Sequence, residues 1–157
     1  MIAVVSAPEK AALARTVGAD HVVFSHDFLA ESRRLTAGRG VDMVLDPVGG
    51  ERFTDSLRSL ASRGRLVVLG FTGGSIPTVR VNRLLLTNTA VIGAGWEGLM
   101  EVCSVSLPEQ WGRLAGDVAR GALAPVISDV IPFDQAADAV AALDERRATG
   151  KIILTVR

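Results

Sequence analysis

Short apolar runs alternate with helix-spaced apolar stripes along the chain. Ile2–Val5, His21–Phe24, Val41–Leu45, Leu66–Leu69, Ala90–Ile92, Val126–Ile131 and Ile152–Val156 read as strands. Pro8 fits the first turn of a helix running to about Val17, with Gly18 at its C-terminal cap. Asp27 fits the cap of a helix through about Ala37, with Phe28 and Leu35 on one face. Phe53, Leu57, Leu60 and Ala61 share helical spacing, and the turn-rich FTGGSIP precedes Val79–Leu86. Pro108 opens a helix with Trp111, Leu114, Ala115 and Val118 on one face. Asp134 fits the cap of a last helix whose repeat is Ala137, Val140, Ala141 and Asp144, and Gly150 fits its end. Continuous apolar strands alternating with helices predict a parallel sheet covered on both faces. No repeat, low-complexity run or linker interrupts the pattern, which predicts one domain.

Composition narrows the function classes. The 157 residues are 48% hydrophobic, with Lys+Arg and Asp+Glu equal at 17 each. That balance gives no long-range field toward nucleic acid or an anionic membrane. Aromatic residues make up 4%, with no Tyr, which argues against a stacking platform for single strands. The apolar run at the N-terminus is too short for a signal peptide, and no stretch approaches the ~20 apolar residues of a membrane helix. The one cysteine, Cys103, cannot form an internal disulfide and reads as a small core residue. These features predict a soluble, cytoplasmic protein.

GAGWEG at 93–98 satisfies G-x-G-x-x-G. A dinucleotide loop needs a helix at once and a second strand ending in Asp or Glu about 20 residues on. Here that position falls near Val118, inside the Trp111 helix, and Pro108 interrupts the stretch in between. The expected role is therefore a strand end whose glycines let neighbouring backbones approach. Ligands of open α/β sheets bind beyond the carboxyl ends of the strands, so those ends carry the search. Ser6 and Lys10 follow the first strand as a small polar residue and a cation suited to a 2′-phosphate, or as a solvated helix start with a serine cap. Glu9 falls within the helix start rather than at the strand tip. Asp46-Pro47-Val48-Gly49-Gly50 follows the third strand, either turning backbone N–H groups toward a ligand or forming a plain turn. Gly70, Phe71 and Thr72 follow the fourth, where glycines leave room for a flat ring and Phe71 packs on it or joins the core. His26 reads as an adenine neighbour or a surface histidine. No HExxH, CxxC or GxSxG motif occurs.

The ordered series GADHVVFSHD, GRGVDMVLDPVGGERFTDSLRSLASRGRLVVLGFTGGSIP, NRLLLTN and ATGKIILTVR resembles the medium-chain dehydrogenase/reductase superfamily, in its NADPH:quinone oxidoreductase branch. The resemblance runs over all 157 residues and covers about the second half of such a protein. It implies an incomplete Rossmann-type doubly wound parallel sheet in an α/β fold. Residues 1–157 would be a partial NAD(P)-binding domain, with about 125–157 returning toward a missing catalytic domain. The first Rossmann strand, its pyrophosphate loop and a GroES-like substrate domain would precede Met1. The resemblance further implies NADPH as cofactor, with Ser6 and Lys10 on the 2′-phosphate side and His26 beside the adenosine. Asp46, Pro47, Val48 and Gly49 would lie near the cofactor ribose, and Gly70, Phe71 and Thr72 near the nicotinamide. Zinc is not excluded in the missing part, and no metal ligand or catalytic residue is assigned to this chain.

Three functions compete at this point. The first is the cofactor-binding part of an oxidoreductase passing hydride from NADPH to a quinone or an α,β-unsaturated carbonyl, a small-molecule substrate. The second is a truncated, non-catalytic remnant limited to weak nucleotide binding or dimerisation. The third is an unrelated α/β binding domain using GAGWEG as a loop. Neither nucleic acid nor a membrane is expected as partner, and a homo-oligomer through the strand near 89–95 is. Without the first Rossmann strand, the strands on either side of it each expose an edge, so the isolated chain is expected to be marginal or oligomeric.

Overall fold

In the computed structural model, residues 1–103 and 106–156 are described, apart from the side chains of Leu99 and Cys103. The core reading of Cys103 therefore lies outside the described residues. The chain divides into two compact units, residues 1–104 and 105–157. The first holds β1 (Ile2–Val5), α1 (Pro8–Thr16), β2 (His21–Phe24), α2 (Phe28–Leu35), β3 (Val41–Asp46), α3 (Phe53–Arg58), β4 (Leu60–Val68), α4 (Asn82–Thr87), β5 (Ala90–Gly93) and α5 (Trp96–Cys103). The second holds α6 (Leu107–Ala119), β6 (Ile127–Pro132), α7 (Ala136–Asp144) and β7 (Lys151–Thr155).

The strands form three parallel sheets, β1-β2, β3-β4-β5 and β6-β7. The α/β class and the parallel pairing follow the apolar pattern. Among the described residues β1 pairs with β2 alone and β3 with β4 alone, so each has one edge without a described partner. Core packing is one-sided on the three-stranded sheet. Phe53, Leu57, Leu60 and Leu66 are buried together, with Val44, Val68, Leu84 and Val91 packed against them. On the opposite face Met43, Leu45 and Ile92 are exposed, which departs from the expectation of a sheet covered on both faces. The register sets Leu45 beside Val67 and Val67 beside Ile92, so these side chains form one apolar row.

Local chemistry sets the element ends. Gly18 has φ +100°, and the amides of Gly18 and Ala19 return to the carbonyls of Arg15 and Ala14, a Schellman closure of α1. The α2 helix closes the same way, Ala37 and Gly38 donating to Arg34 and Arg33, but its left-handed position is filled by Ala37 at φ +51°. It therefore ends at Leu35, short of the expected Ala37. Asp27 precedes it without a side-chain capping bond. Leu60 and Ala61 belong to β4 rather than to α3. Their helical spacing reflected burial alone, and a short apolar run buries equally well in either geometry. The close approach between β3 and β4 depends on Gly40, where a Cβ would lie 2.6 Å from the Ser59 carbonyl.

In the second unit, Ser106 and Glu109 form a reciprocal capping box on α6. Trp111, Leu114 and Val118 lie on one side of α6 and are exposed. Asp134 sits in a 3-10 turn, and Gln135 is the residue that precedes α7. Gly150 does not end that helix, which stops at Asp144. A Cβ on Gly150 would lie 2.6 Å from the Val126 carbonyl, so glycine there permits the entry into β7.

Candidate functional site

The carboxyl ends of β1 and β2 stand side by side, because Val5 pairs with Phe24 and the Ser25 amide donates to the Val5 carbonyl at 2.8 Å. Ser6 and Ser25 are the next residue on each strand. Lys10 follows one turn into α1, its amide bonded to the Ala7 carbonyl. Ala7, not Ser6, precedes the helix, so Ser6 is not the cap of α1. Glu9 lies in the first helical turn, as expected. The His26 ring stacks on Phe24, with centroids 5.8 Å apart and planes 13° from parallel, and its Nε2 is 3.8 Å from Asp27. Sequence reasoning missed Ser25 and Phe24. The signal available was the parallel pairing of two short strands, which makes the residue after each strand a neighbour. A groove of about 820 Å³ continues from Ser25 and His26 between α2 and α3. Arg33 in it bonds the Gly38 and Arg58 carbonyls, and Arg58 faces Asp55.

The ends of β3 and β4 are joined more tightly. Asp46 is buried, and its Oδ1 accepts the amides of Val48 and Gly49, both at 2.9 Å. The Pro47 carbonyl accepts both the amide and the hydroxyl of Thr72, each at 3.1 Å. The Val48 carbonyl accepts the Gly73 amide at 2.8 Å, and the Gly50 amide donates to the Ser75 carbonyl at 3.1 Å. Loop 46–50 is therefore zipped to loop 71–75 by backbone and side-chain bonds.

This geometry bears on the alternatives that both loops left open. The amides of Val48, Gly49 and Gly50 all have intramolecular acceptors, so the loop does not turn those N–H groups toward a ligand. At Gly73 the space is taken by the neighbouring loop, since a Cβ there would lie 2.8 Å from the Val48 carbonyl, whereas a Cβ at Gly70 would have one neighbour, the Pro47 carbonyl at 3.4 Å, and one at Gly74 none within 4 Å. The large apolar side chains that the paired loops leave exposed are Val48 and Phe71, at 40% and 42%, beside the exposed Pro47, Thr72 and Ser75. Phe71 lies against Gly49, where a Cβ would sit 2.9 Å from its ring, and is not a core residue.

GAGWEG takes a different form from the expectation. Gly93 ends β5 and α5 begins at Trp96, so a helix does follow at once. Nothing lies within 4 Å of a Cβ built at Gly93, Gly95 or Gly98, so these glycines serve no close backbone approach. The second strand of a dinucleotide unit is still absent from the described residues, since β6 pairs with β7 and not with β5.

Parallel strands with a prepared carboxyl edge match one group of known proteins. The family model described as zinc-binding dehydrogenase covers residues 17–154. The chain belongs to this family. Its relatives place it in the medium-chain dehydrogenase/reductase superfamily, beside the quinone oxidoreductase-like proteins. It is 34% identical to quinone oxidoreductase-like protein 2 of Bos taurus, over 100% of this chain and 46% of that protein. It is 31% identical to a quinone oxidoreductase of Pseudomonas aeruginosa, over 98% of this chain and 48% of that one. Among solved structures, the mycobacterial protein Rv1454c complexed with NADPH superposes with a TM-score of 0.83 at 30% identity, covering 99% of this chain and 48% of that chain. The chain thus spans about half the length of the relatives it matches, and it corresponds to the C-terminal half of the superfamily. The fold is the Rossmann-like α/β fold of these dehydrogenases. Among the described residues no group of three or more His, Cys, Asp or Glu side chains is placed to hold a metal. No described helix is long and apolar enough to cross a membrane.

Proposed function

We propose that this chain is the cofactor-binding part of an NADPH-dependent oxidoreductase that transfers hydride to a quinone or an α,β-unsaturated carbonyl. The observation that carries the reading is the preparation of two separate places at strand carboxyl ends. One is polar with a cation, and the other is an apolar shelf held rigid by its own hydrogen bonds. An extended dinucleotide has matching ends, a charged adenosine phosphate and a flat, weakly polar nicotinamide. The quinone oxidoreductase-like relatives and the NADPH-complexed structure support the same assignment.

In this reading Ser6 and Lys10 hold the 2′-phosphate through a hydroxyl donor and a positive charge. Ser25 adds a second hydroxyl, and His26 on Phe24 offers a flat surface beside the adenosine. Pro47, Val48 and Gly49 line the ribose side, while Gly70, Phe71 and Thr72 shape the nicotinamide side. Val48 and Phe71 meet the ring directly, and Thr72 acts by fixing the Pro47 carbonyl. NADPH, when bound, supplies the hydride. The chain's own residues bind, orient and exclude water from one face of the ring. No metal-dependent step is assigned to this chain, because its described residues do not form a ligand set. A second copy is the proposed partner at β5, whose outer edge pairs with no described strand.

The second reading is a nucleotide-binding or dimerisation module without catalysis. The open edges of β1 and β3 favour it, because a site split between two unjoined sheets lacks a fixed span. Calorimetric titration tests the cofactor site that both readings share. NADPH bound more tightly than NADH, with the preference lost in Lys10→Ala, supports Ser6 and Lys10 as the 2′-phosphate site. Equal loss for both cofactors removes Lys10 as the phosphate reader. NADPH oxidation in the presence of a quinone separates catalysis from binding alone.

A further inference from the structure

We infer that Asp46 is a positioning residue, whose carboxylate gathers the amides of Val48 and Gly49 and so presents Val48 and Phe71, rather than backbone N–H groups, to the nicotinamide ring. The inference rests on the nucleotide reading for its binding arm and on the loop geometry alone for its structural arm. Pro47 has no N–H to offer, and the next two amides both end on one buried carboxylate oxygen. With the amides turned inward, the carbonyls of Pro47 and Val48 must point the other way, and there they meet Thr72 and Gly73. One carboxylate thereby sets the sense of the whole loop. It also selects ligand chemistry: a loop that exposed its amides would favour a phosphate, whereas this one offers an apolar shelf. Gly49, at φ +63° and ψ −138°, is the residue that permits the required turn.

The test uses the intact protein and two readouts. Hydrogen exchange without nucleotide, read on peptides covering 46–50 and 70–75, reports the loop. NADPH titration reports the site. Asp46→Ala is expected to speed exchange of both peptides about tenfold and to weaken NADPH by about tenfold, the loss of charge-assisted bonds to two amides. Asp46→Asn keeps an acceptor oxygen and restores both readouts most of the way. A residue that merely touched nucleotide would leave the nucleotide-free exchange unchanged, and that result overturns the inference. Faster exchange with unaltered NADPH affinity overturns it as well. If Asp46→Ala does not fold, Thr72→Val loosens the same loop from its other side and carries the same expectation in both readouts. Failure of the unaltered protein to bind NADPH would instead refute the nucleotide reading, while the exchange arm still decides whether Asp46 holds the loop.

Discussion

Gly49→Ala perturbs the backbone and the shelf together, and the two effects can be separated. The backbone conformation at Gly49, φ +63° and ψ −138°, is one that residues with a Cβ rarely adopt. Holding alanine there costs about 1–3 kcal/mol. The added methyl would also sit 2.9 Å from the Phe71 Cδ1, so the ring must move. Phe71 is 42% exposed and can swing outward, which limits this part to about 0.5–1.5 kcal/mol of off-rotamer strain. The single variant should therefore lose about 1.5–4.5 kcal/mol by urea denaturation followed by circular dichroism. In a Phe71→Ala background the same change should cost only the backbone part, leaving a coupling of about 0.5–1.5 kcal/mol in the double-mutant cycle. A single-variant loss below about 0.5 kcal/mol would refute the strained-turn argument, the size of an ordinary surface change. Zero coupling with a large single loss would refute the contact with Phe71 and leave the backbone argument standing.

Other outcomes follow from the packing and the charges. Leu66→Ala removes a side chain that is 0% exposed and should cost about 2–5 kcal/mol in the same denaturation assay. Ala37→Gly relieves the left-handed position ending α2 and should stabilise by about 1 kcal/mol, seen as a higher urea midpoint. Gly40→Ala places a Cβ against the Ser59 carbonyl at a positive φ and should abolish cooperative unfolding. The amide and hydroxyl of Ser106 hold the Glu109 carboxyl below the usual glutamate range. Because the folded-state value is the depressed one, that contribution is complete above the ordinary glutamate pKa and fades as pH falls through the folded value. Carbon-detected titration should show the low Glu109 midpoint, and Ser106→Ala, which removes the hydroxyl but keeps the amide donor, should raise it only part of the way.

Much of this molecule is written locally. Continuous apolar runs such as Ile2–Val5 and Val41–Leu45 mark strands by their own composition, while their pairing and cover come from other segments. Gly18 ends α1 because a left-handed turn there depends on one residue's own backbone. The ordered motifs from GADHVVFSHD to ATGKIILTVR were enough to place the chain in its superfamily. Other features required the third dimension. Leu60 and Ala61 went into β4 because pairing with β3, not spacing, decided their backbone. The inward turn of the Val48 and Gly49 amides was illegible because their acceptor, Asp46, can be read equally as a ligand. The space beside Gly73 looked free in sequence, but the carbonyl of Val48, more than 20 residues earlier, fills it. Ser25 joined Ser6 only through the β1–β2 register. Sequence by itself determined most of the strand and helix segments and where the chain turns, because those are short-range free energies. Tertiary structure decided which polar groups remain available to a ligand, because that depends on partners brought together from distant segments.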